Sequence, residues 1–337
     1  METPRKPLRN ISLEANTPFK VPASPMMKAL GYGTGVNVYC MERSPKASGP
    51  RSPWAIKRVS QRIRATNQEN SKIFNERIVK EATILRQLKH PNIVGFRALS
   101  KQQGDLDSLA LECCETSLGS ILEQRLDNGG SALPAKHIKK MLLDISNALH
   151  YLHTEAKLLH GDMKSHNVLV KGSDFEVCKL CDFGVSLPLD VEGKVDFRKN
   201  PELRYVGTTL WCAPEVIAEE DVIDSKADIF SLGLIIYETI ALTPPHMLAR
   251  DDSESYLETS TEEDMLNEAD TEGNETTEMS LSDLAYGTRP QIPQALELSD
   301  DYNIVMELFY LCTNNLPIDR PTAKIILSSL NQHNTKN

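Results

Sequence analysis

The chain has few aromatic residues, 6 % of 337, and no apolar run near the roughly 20 residues that cross a bilayer. Its first residues, METPRKPLRN, lack the apolar core of a secretory signal, so no membrane partner is expected and the location is expected to be cytoplasmic or nuclear. Seven cysteines make an odd set without framework spacing, which excludes a disulfide-built scaffold. Cys178 and Cys181 form the one C-x-x-C, in an extended apolar stretch with no second ligand pair nearby, and read as two half-buried thiols. Lys and Arg are missing altogether from 251–283, which hold thirteen Asp or Glu. The formal net charge of -10 therefore belongs to that stretch, and the rest of the chain is slightly positive. Without a basic stripe, nucleic-acid binding is not expected.

What is present describes an ordinary globular protein, 40 % hydrophobic and 25 % charged, long enough for one large or two modest domains. Residues 1–27 contain five prolines and few large apolar side chains, and are expected to be a disordered leader. The folded region is expected over 28–331, in two parts. From 28 to 113 the pattern is short extended runs: Gly31 to Met41, Trp54 to Val59, Ile93 to Leu99 and Ser108 to Cys113. A loop, ERSPKASGPR, is expected between the first two. One helix interrupts the runs, with Ile78, Glu81, Leu85 and Leu88 on one face and an end before His90-Pro91. From 114 to 331 helices dominate. Ile138, Met141, Leu142, Ile145, Leu149 and Leu152 recur at steps of three and four, and Ile229 to Leu242 is apolar nearly all round. Two more helices are expected over 300–312 and 321–331. The acidic stretch, 250–285, is expected to be a disordered insert in this helical part, and 332–337 a short tail. The fold class is α+β: a small antiparallel sheet with one major helix, beside a larger, mainly helical lobe.

Four clusters carry chemistry. Gly31, Gly33 and Gly35 lie between extended runs, where backbone N–H groups can approach a phosphate chain because no side chain intervenes; a glycine-rich hairpin turn looks the same. In Ala55-Ile56-Lys57, strand alternation puts Ala55, Lys57 and Val59 on one face, so an amine sits among small apolar side chains. Glu81, on the inward face of the helix, is its expected partner, since an unpaired buried charge is costly. Glu76 is a rival, but five residues from Glu81 lies well around the helix. In His160-Gly161-Asp162-Met163-Lys164-Ser165-His166-Asn167, apolar flanks hold a tight polar loop. There Asp162 can accept a hydroxyl proton, Lys164 can offset phosphate charge, and Asn167 can offer an oxygen to a hard cation. His160 reads as a packed core histidine, and His166 has no assigned role. Asp182, in Asp182-Phe183-Gly184, ends an extended run and is placed to hold Mg2+. The interval from Asn167 to Asp182 suffices for a hairpin that brings both oxygens to one metal.

In this order the clusters resemble the motifs of eukaryotic protein kinases, over about residues 28 to 331. Ala213-Pro214-Glu215, Asp228 and Arg320 are further matches. Runs such as LLHGDMKSHNVLVKG and ELFYLCTNNLPIDRP are most similar to a branch, associated with mitotic cells, that itself resembles the MAP kinase kinases. The resemblance implies a bilobal fold with ATP and Mg2+ as cofactors. Lys57, oriented by Glu81, would hold the phosphates, Asn167 and Asp182 the metal, and Asp162 and Lys164 would serve the transfer itself. Adenine would lie between Val38 and Ala55 above and Leu169 below, against the hinge backbone from Glu112 to Cys114, with Leu111 at the rear. Glu215 with Arg320 would be a structural ion pair, and Asp228 an anchor for the loop around Asp162.

Two departures stand out. Val36 occupies the usual place of the third glycine, with Gly35 one position earlier. Gly161 stands where most such kinases have an arginine that pairs with an activation-segment phosphate, so activity is not expected to depend on that contact. Thr208 is placed either to contact Asp162 and Lys164 or to cap a turn. Lys164 with Gly207-Thr208 resembles serine/threonine kinases, while the MAP-kinase-kinase likeness leaves tyrosine transfer open. Expected partners are protein substrates, a MAP kinase among the candidates. An upstream proline-directed kinase is a further candidate, at Thr3, Thr17, Ser24, Ser44 or Ser52, although Pro- and Ser-rich composition gives the same pattern. The C-terminal Asn-Thr-Lys-Asn lacks the apolar last residue of a PDZ ligand, so PDZ binding is not expected. A catalytically weak, kinase-like scaffold is the rival reading. It is disfavoured because Lys57, Asp162, Asn167 and Asp182 are all present. A lipid or small-molecule kinase would not normally carry Ala213-Pro214-Glu215, Asp228 and Arg320 together.

Overall fold

In the computed structural model, which describes residues 28–32, 35–46, 49–66, 68–100, 106–247, 286–294 and 296–334, five strands form one antiparallel sheet. They are β1 (Lys28–Tyr32), β2 (Val36–Lys46), β3 (Gly49–Val59), β4 (Phe96–Ser100) and β5 (Ser108–Glu112), in the order β1-β2-β3-β5-β4. The expectations for the leader, Gly33 and the acidic insert lie outside the described residues, as do 335–337 of the expected tail, whereas 332–334 are not tail but the end of the last helix, which runs to Asn334.

Register explains which side chains look inward. Val38 is opposite Lys57 and Cys40 opposite Ala55, while Ala55 is opposite Leu111 and Lys57 opposite Leu109. Opposed residues share a face of the sheet, so this set lines the side covered by helix α2 (Gln68–Leu85), which follows the short α1 (Gln61–Thr66). Tyr39, Ile56, Ala98 and Ala110 pack together on the other side. Phe74, Ile78, Glu81, Ala82 and Leu85 are the buried stripe of α2. The helix stops at Leu85, short of Leu88, because the chain tightens into a turn, Gln87 N–H to Ile84 O at 2.9 Å, ahead of Pro91. The loop expected between the second and third strands is mostly strand. β2 and β3 run to Lys46 and from Gly49, and Pro53 falls between the register partners Trp54 and Arg51, where no ladder bond is required of it.

The helical part begins with β6 (Thr116–Ser117), α3 (Leu118–Asp127) and α4 (Ala135–Tyr151), whose apolar face from Ile138 to Leu149 is buried. Then come β7 (Leu158–Leu159), the hairpin β8 (Val168–Lys171) and β9 (Val177–Leu180), β10 (Leu187–Pro188) and β11 (Lys194–Asp196). α5 (Pro214–Ile217), β12 (Val222–Asp224), α6 (Lys226–Ala241), α7 (Asn303–Cys312) and α8 (Ala323–Asn334) complete it. α6 is buried on every side, as its unbroken apolar sequence requires. The two parts are stitched by Val94 N–H to Leu180 O and Leu180 N–H to Asn92 O, both 2.9 Å. The chain on either side of the acidic stretch is brought together, with the rings of His246 and Tyr286 edge to face at 6.1 Å. Among the described residues no helix is long and apolar enough to cross a membrane.

Candidate active site

Lys57 from β3, Glu81 from α2 and Asp182 from the end of β9 meet at one amine. Lys57 Nζ lies 2.9 Å from Glu81 Oε2 and 2.8 Å from Asp182 Oδ1. The rival Glu76 is exposed. Burial works against the charge of Lys57, but Asp182 and Glu81 outweigh it and hold the ammonium well above its ordinary pKa. Burial also pushes the Asp182 carboxyl up, and the charge and hydrogen bond of Lys57, then Lys164 and the Gly184 N–H, bring it down to about 2. Glu81, 1 % exposed, goes the other way because burial lifts it more than Lys57 lowers it. The Asp182 side chain is also 39 % open, which makes it the member able to meet a solute.

The loop after β7 gathers the second set. Asp162 Oδ1 accepts from the Thr208 N–H at 3.1 Å and the Thr208 hydroxyl at 2.7 Å. Its Oδ2 accepts from Asn167 Nδ2 at 2.9 Å and lies 3.1 Å from Lys164 Nζ, which also donates to Thr208 Oγ1 at 2.8 Å. Thr208 thus takes the first of its two expected roles. Asn167 Nδ2 reaches the Asp162 carbonyl too, at 2.7 Å. Both its partners are acceptors, which orients the amide and leaves its oxygen outside these bonds. Cys181 N–H to Asn167 O, 3.0 Å, closes the β8–β9 hairpin and sets Asn167 beside Asp182.

Asp228, at the start of α6, holds this loop from beneath. Its carboxylate accepts from the N–H groups of His160 and Gly161 at 2.9 and 3.0 Å and lies 2.8 Å from His153 Nε2. Burial opposes its ionisation, but these donors leave its pKa lowered. His160 is fully buried, 2.9 Å from the Cys181 carbonyl. Gly161 adopts φ +78°, left-handed backbone that would strain an L-residue by about 1–2 kcal/mol, so the position suits glycine rather than arginine. Glu215 and Arg320 form a buried two-pronged pair at 2.6 and 2.8 Å.

Ala55, Leu111 and Cys114 are buried, Val38 and Leu169 half-buried, and Gly31 is opposite Val38 on β1. The Glu112 N–H donates to the Gly95 carbonyl at 2.7 Å, and its carboxylate lies 3.2 Å from both Lys171 and Lys179. His166 is exposed and pairs with Glu123 at 3.1 Å.

Sequence reasoning misses Glu238. Its two oxygens accept from Ser165 Oγ at 2.6 Å and Trp211 Nε1 at 2.7 Å, tying the loop of Asp162 to the segment before Ala213. Burial pushes this carboxyl up to about 7, against the pull of those two donors. A signal was available: Glu238 is the lone charge in the apolar run from Ile229 to Leu242.

A lysine clamped by two carboxylates above, and an Asp-Lys-Asn loop below, define a protein kinase domain. The protein kinase domain model matches residues 26–330, and the chain belongs to that family. It is 42 % identical over 321 residues to the lymphokine-activated killer T-cell-originated protein kinase of Homo sapiens, covering 95 % of this chain and 93 % of that one. It is 36 % identical over 171 residues to the serine/threonine-protein kinase pakG of Dictyostelium discoideum, 51 % of this chain and 13 % of that one. The dual specificity testis-specific protein kinase 1 of Homo sapiens is 35 % identical over 170 residues, 49 % of this chain and 25 % of that one.

Proposed function

We propose that this chain is an active kinase that uses Mg-ATP to phosphorylate serine and threonine hydroxyls of protein substrates, with tyrosine as a second acceptor. A MAP kinase is the favoured substrate and mitotic signalling the favoured setting, on the resemblance of the motif runs described above. The observation that carries the catalytic reading is the Lys57–Asp182 contact at 2.8 Å, one hairpin away from Asn167 and Asp162. The donor set fits the cofactors. One open carboxylate and one amide oxygen are hard ligands for Mg2+, which keeps several waters and completes its shell with phosphate oxygens, and Lys57 supplies a fixed cation for the same phosphates. Bound Mg-ATP supplies the electrophilic phosphorus and a leaving group whose charge the metal offsets.

The residues of the chain do the rest. Asp162, held by Thr208 and Asn167, would accept the substrate hydroxyl proton as the hydroxyl oxygen bonds to the terminal phosphorus and the bond from that phosphorus to the ADP oxygen breaks, so that phosphorylated protein and ADP leave. Lys164 offsets charge beside it, and Lys57 fixes the phosphate chain. The work is positioning and electrostatics. The test is transfer from Mg-ATP to a peptide array, beside an Asp182→Ala variant. Labelled serine or threonine peptides with a silent variant support the reading, and equal signal from the variant overturns it.

The activation segment is held by strand pairing and hydrogen bonds that need no phosphate. Between Leu187 and Gly207 there is no serine or threonine, and Tyr205 is the sole side-chain hydroxyl. Ser186 is buried and donates to the His160 carbonyl at 2.9 Å. β10 pairs with β7 and β11 with β12, and Asp190 Oδ1 accepts from Glu192 N–H at 2.8 Å and Lys194 N–H at 2.9 Å. Together with Gly161, this leads to the expectation that phosphatase-treated protein, shown by mass spectrometry to carry no phosphate from 185 to 209, keeps most of its activity. Abolished activity would refute it.

A further inference from the structure

Helix α2 touches the cleft at three points along one edge. Glu81 takes Lys57. One turn earlier, Arg77 lies against Gly184, where an added Cβ would sit 3.3 Å from Arg77 Cβ and 3.4 Å from its carbonyl oxygen. One turn earlier again, the ring of Phe74 lies across Gly35. A Cβ built on Gly35 would fall 2.2 Å from two ring carbons, so at this position the ring occupies the space of a side chain. Phe74 is 2 % exposed, with the Arg77 guanidinium carbon 5.3 Å from its ring centre. From the other side, the Gly35 carbonyl accepts the Ser60 N–H at 2.9 Å. Gly35, just before β2, is therefore held between the end of β3 and an aromatic ring of α2.

We infer that Phe74 is a positioning residue for the triphosphate: its ring fixes Gly35, at the entry to β2, relative to the helix that carries Glu81, so that end of β2 and the Lys57 clamp are set as one unit. This accounts for the displaced third glycine. With the ring packed on residue 35, any side chain there would have to displace the ring, whereas Val36 is opposite Val59 in the ladder and carries its side chain without that contact. A misplacement of even an ångström at such a contact is enough to cost binding or rate.

The inference rests on the Mg-ATP reading, and the test separates the two. Affinities for Mg-ATP and for adenosine are measured by titration calorimetry on the full chain, for wild type, Phe74→Ala, Phe74→Leu, Gly35→Ala and the Phe74→Ala/Gly35→Ala double variant. Phe74→Ala is expected to weaken Mg-ATP about tenfold while adenosine, which has no phosphates, binds as before. Phe74→Leu should lie between, and serves if the alanine variant fails to fold. Gly35→Ala should weaken Mg-ATP alone in the wild-type background and add little once Phe74 is alanine, the non-additivity of two groups in direct contact. Equal loss for both ligands, unchanged Mg-ATP affinity, or simple additivity overturns the role of Phe74 and leaves the kinase reading standing. Wild-type protein that binds no Mg-ATP overturns both.

Discussion

Asp162→Asn is expected to lower kcat by roughly 10²- to 10⁴-fold, the usual contribution of a positioned base, with little change in Mg-ATP affinity. The substitution keeps the shape of the side chain but removes its charge and one acceptor oxygen. In the native loop those oxygens serve the Thr208 N–H and hydroxyl, Asn167 Nδ2 and Lys164 Nζ at once. An amide satisfies only part of that set and cannot take a hydroxyl proton. Lys57, Glu81 and Asp182 are untouched, so nucleotide binding should survive. Steady-state kinetics beside calorimetric binding would decide the matter. If kcat fell and affinity fell with it by the same factor, Asp162 would be holding the nucleotide site together and not serving the transfer.

Arg320→Ala is expected to be the most damaging change outside the cleft. The guanidinium is 0 % exposed and bonds both oxygens of Glu215 as well as the carbonyls of Asn314, Asn315 and Lys226. It also lies over the Phe230 ring, 4.9 Å from its centre. Removing it leaves a buried carboxylate without a counter-charge, a loss of about 3–5 kcal/mol. For a chain of this size that corresponds to a fall in Tm of roughly 5–8 °C. Arg320→Ala/Glu215→Gln should recover part of the loss, because the stranded charge is then gone. Thermal unfolding of the three proteins tests this, and a double variant less stable than Arg320→Ala would show that the charge is not the source of the damage.

Much of this is legible in the sequence wherever period and chemistry coincide. The two-residue period of β3 points Ala55, Lys57 and Val59 one way, and the helical spacing of Ile78, Glu81 and Leu85 selects Glu81 over Glu76. The extent of β2 and β3 is hidden, since Pro and Ser between them read as a loop, and only the partner strands reveal a ladder irregular enough to accept them. The pairing of β11 with β12 is hidden for another reason: strands of three residues carry too little pattern to recognise. The packing of Phe74 on Gly35 has no local signal at all, because it joins positions far apart in the chain whose approach depends on the whole sheet and helix. Glu238 is the intermediate case, conspicuous in composition but without a role until Ser165 and Trp211 are seen on either side of it.

The edge-to-face meeting of His246 and Tyr286 has a bearing on how this chain can diversify. Departure and return of the acidic stretch occur at neighbouring points of the scaffold, so added length there hardly perturbs the rest. Closing a doubled span costs only about 0.6 kcal/mol more. A longer or shorter span between residues 247 and 286 would then leave the Lys57 clamp and the loop of Asp162 where they are.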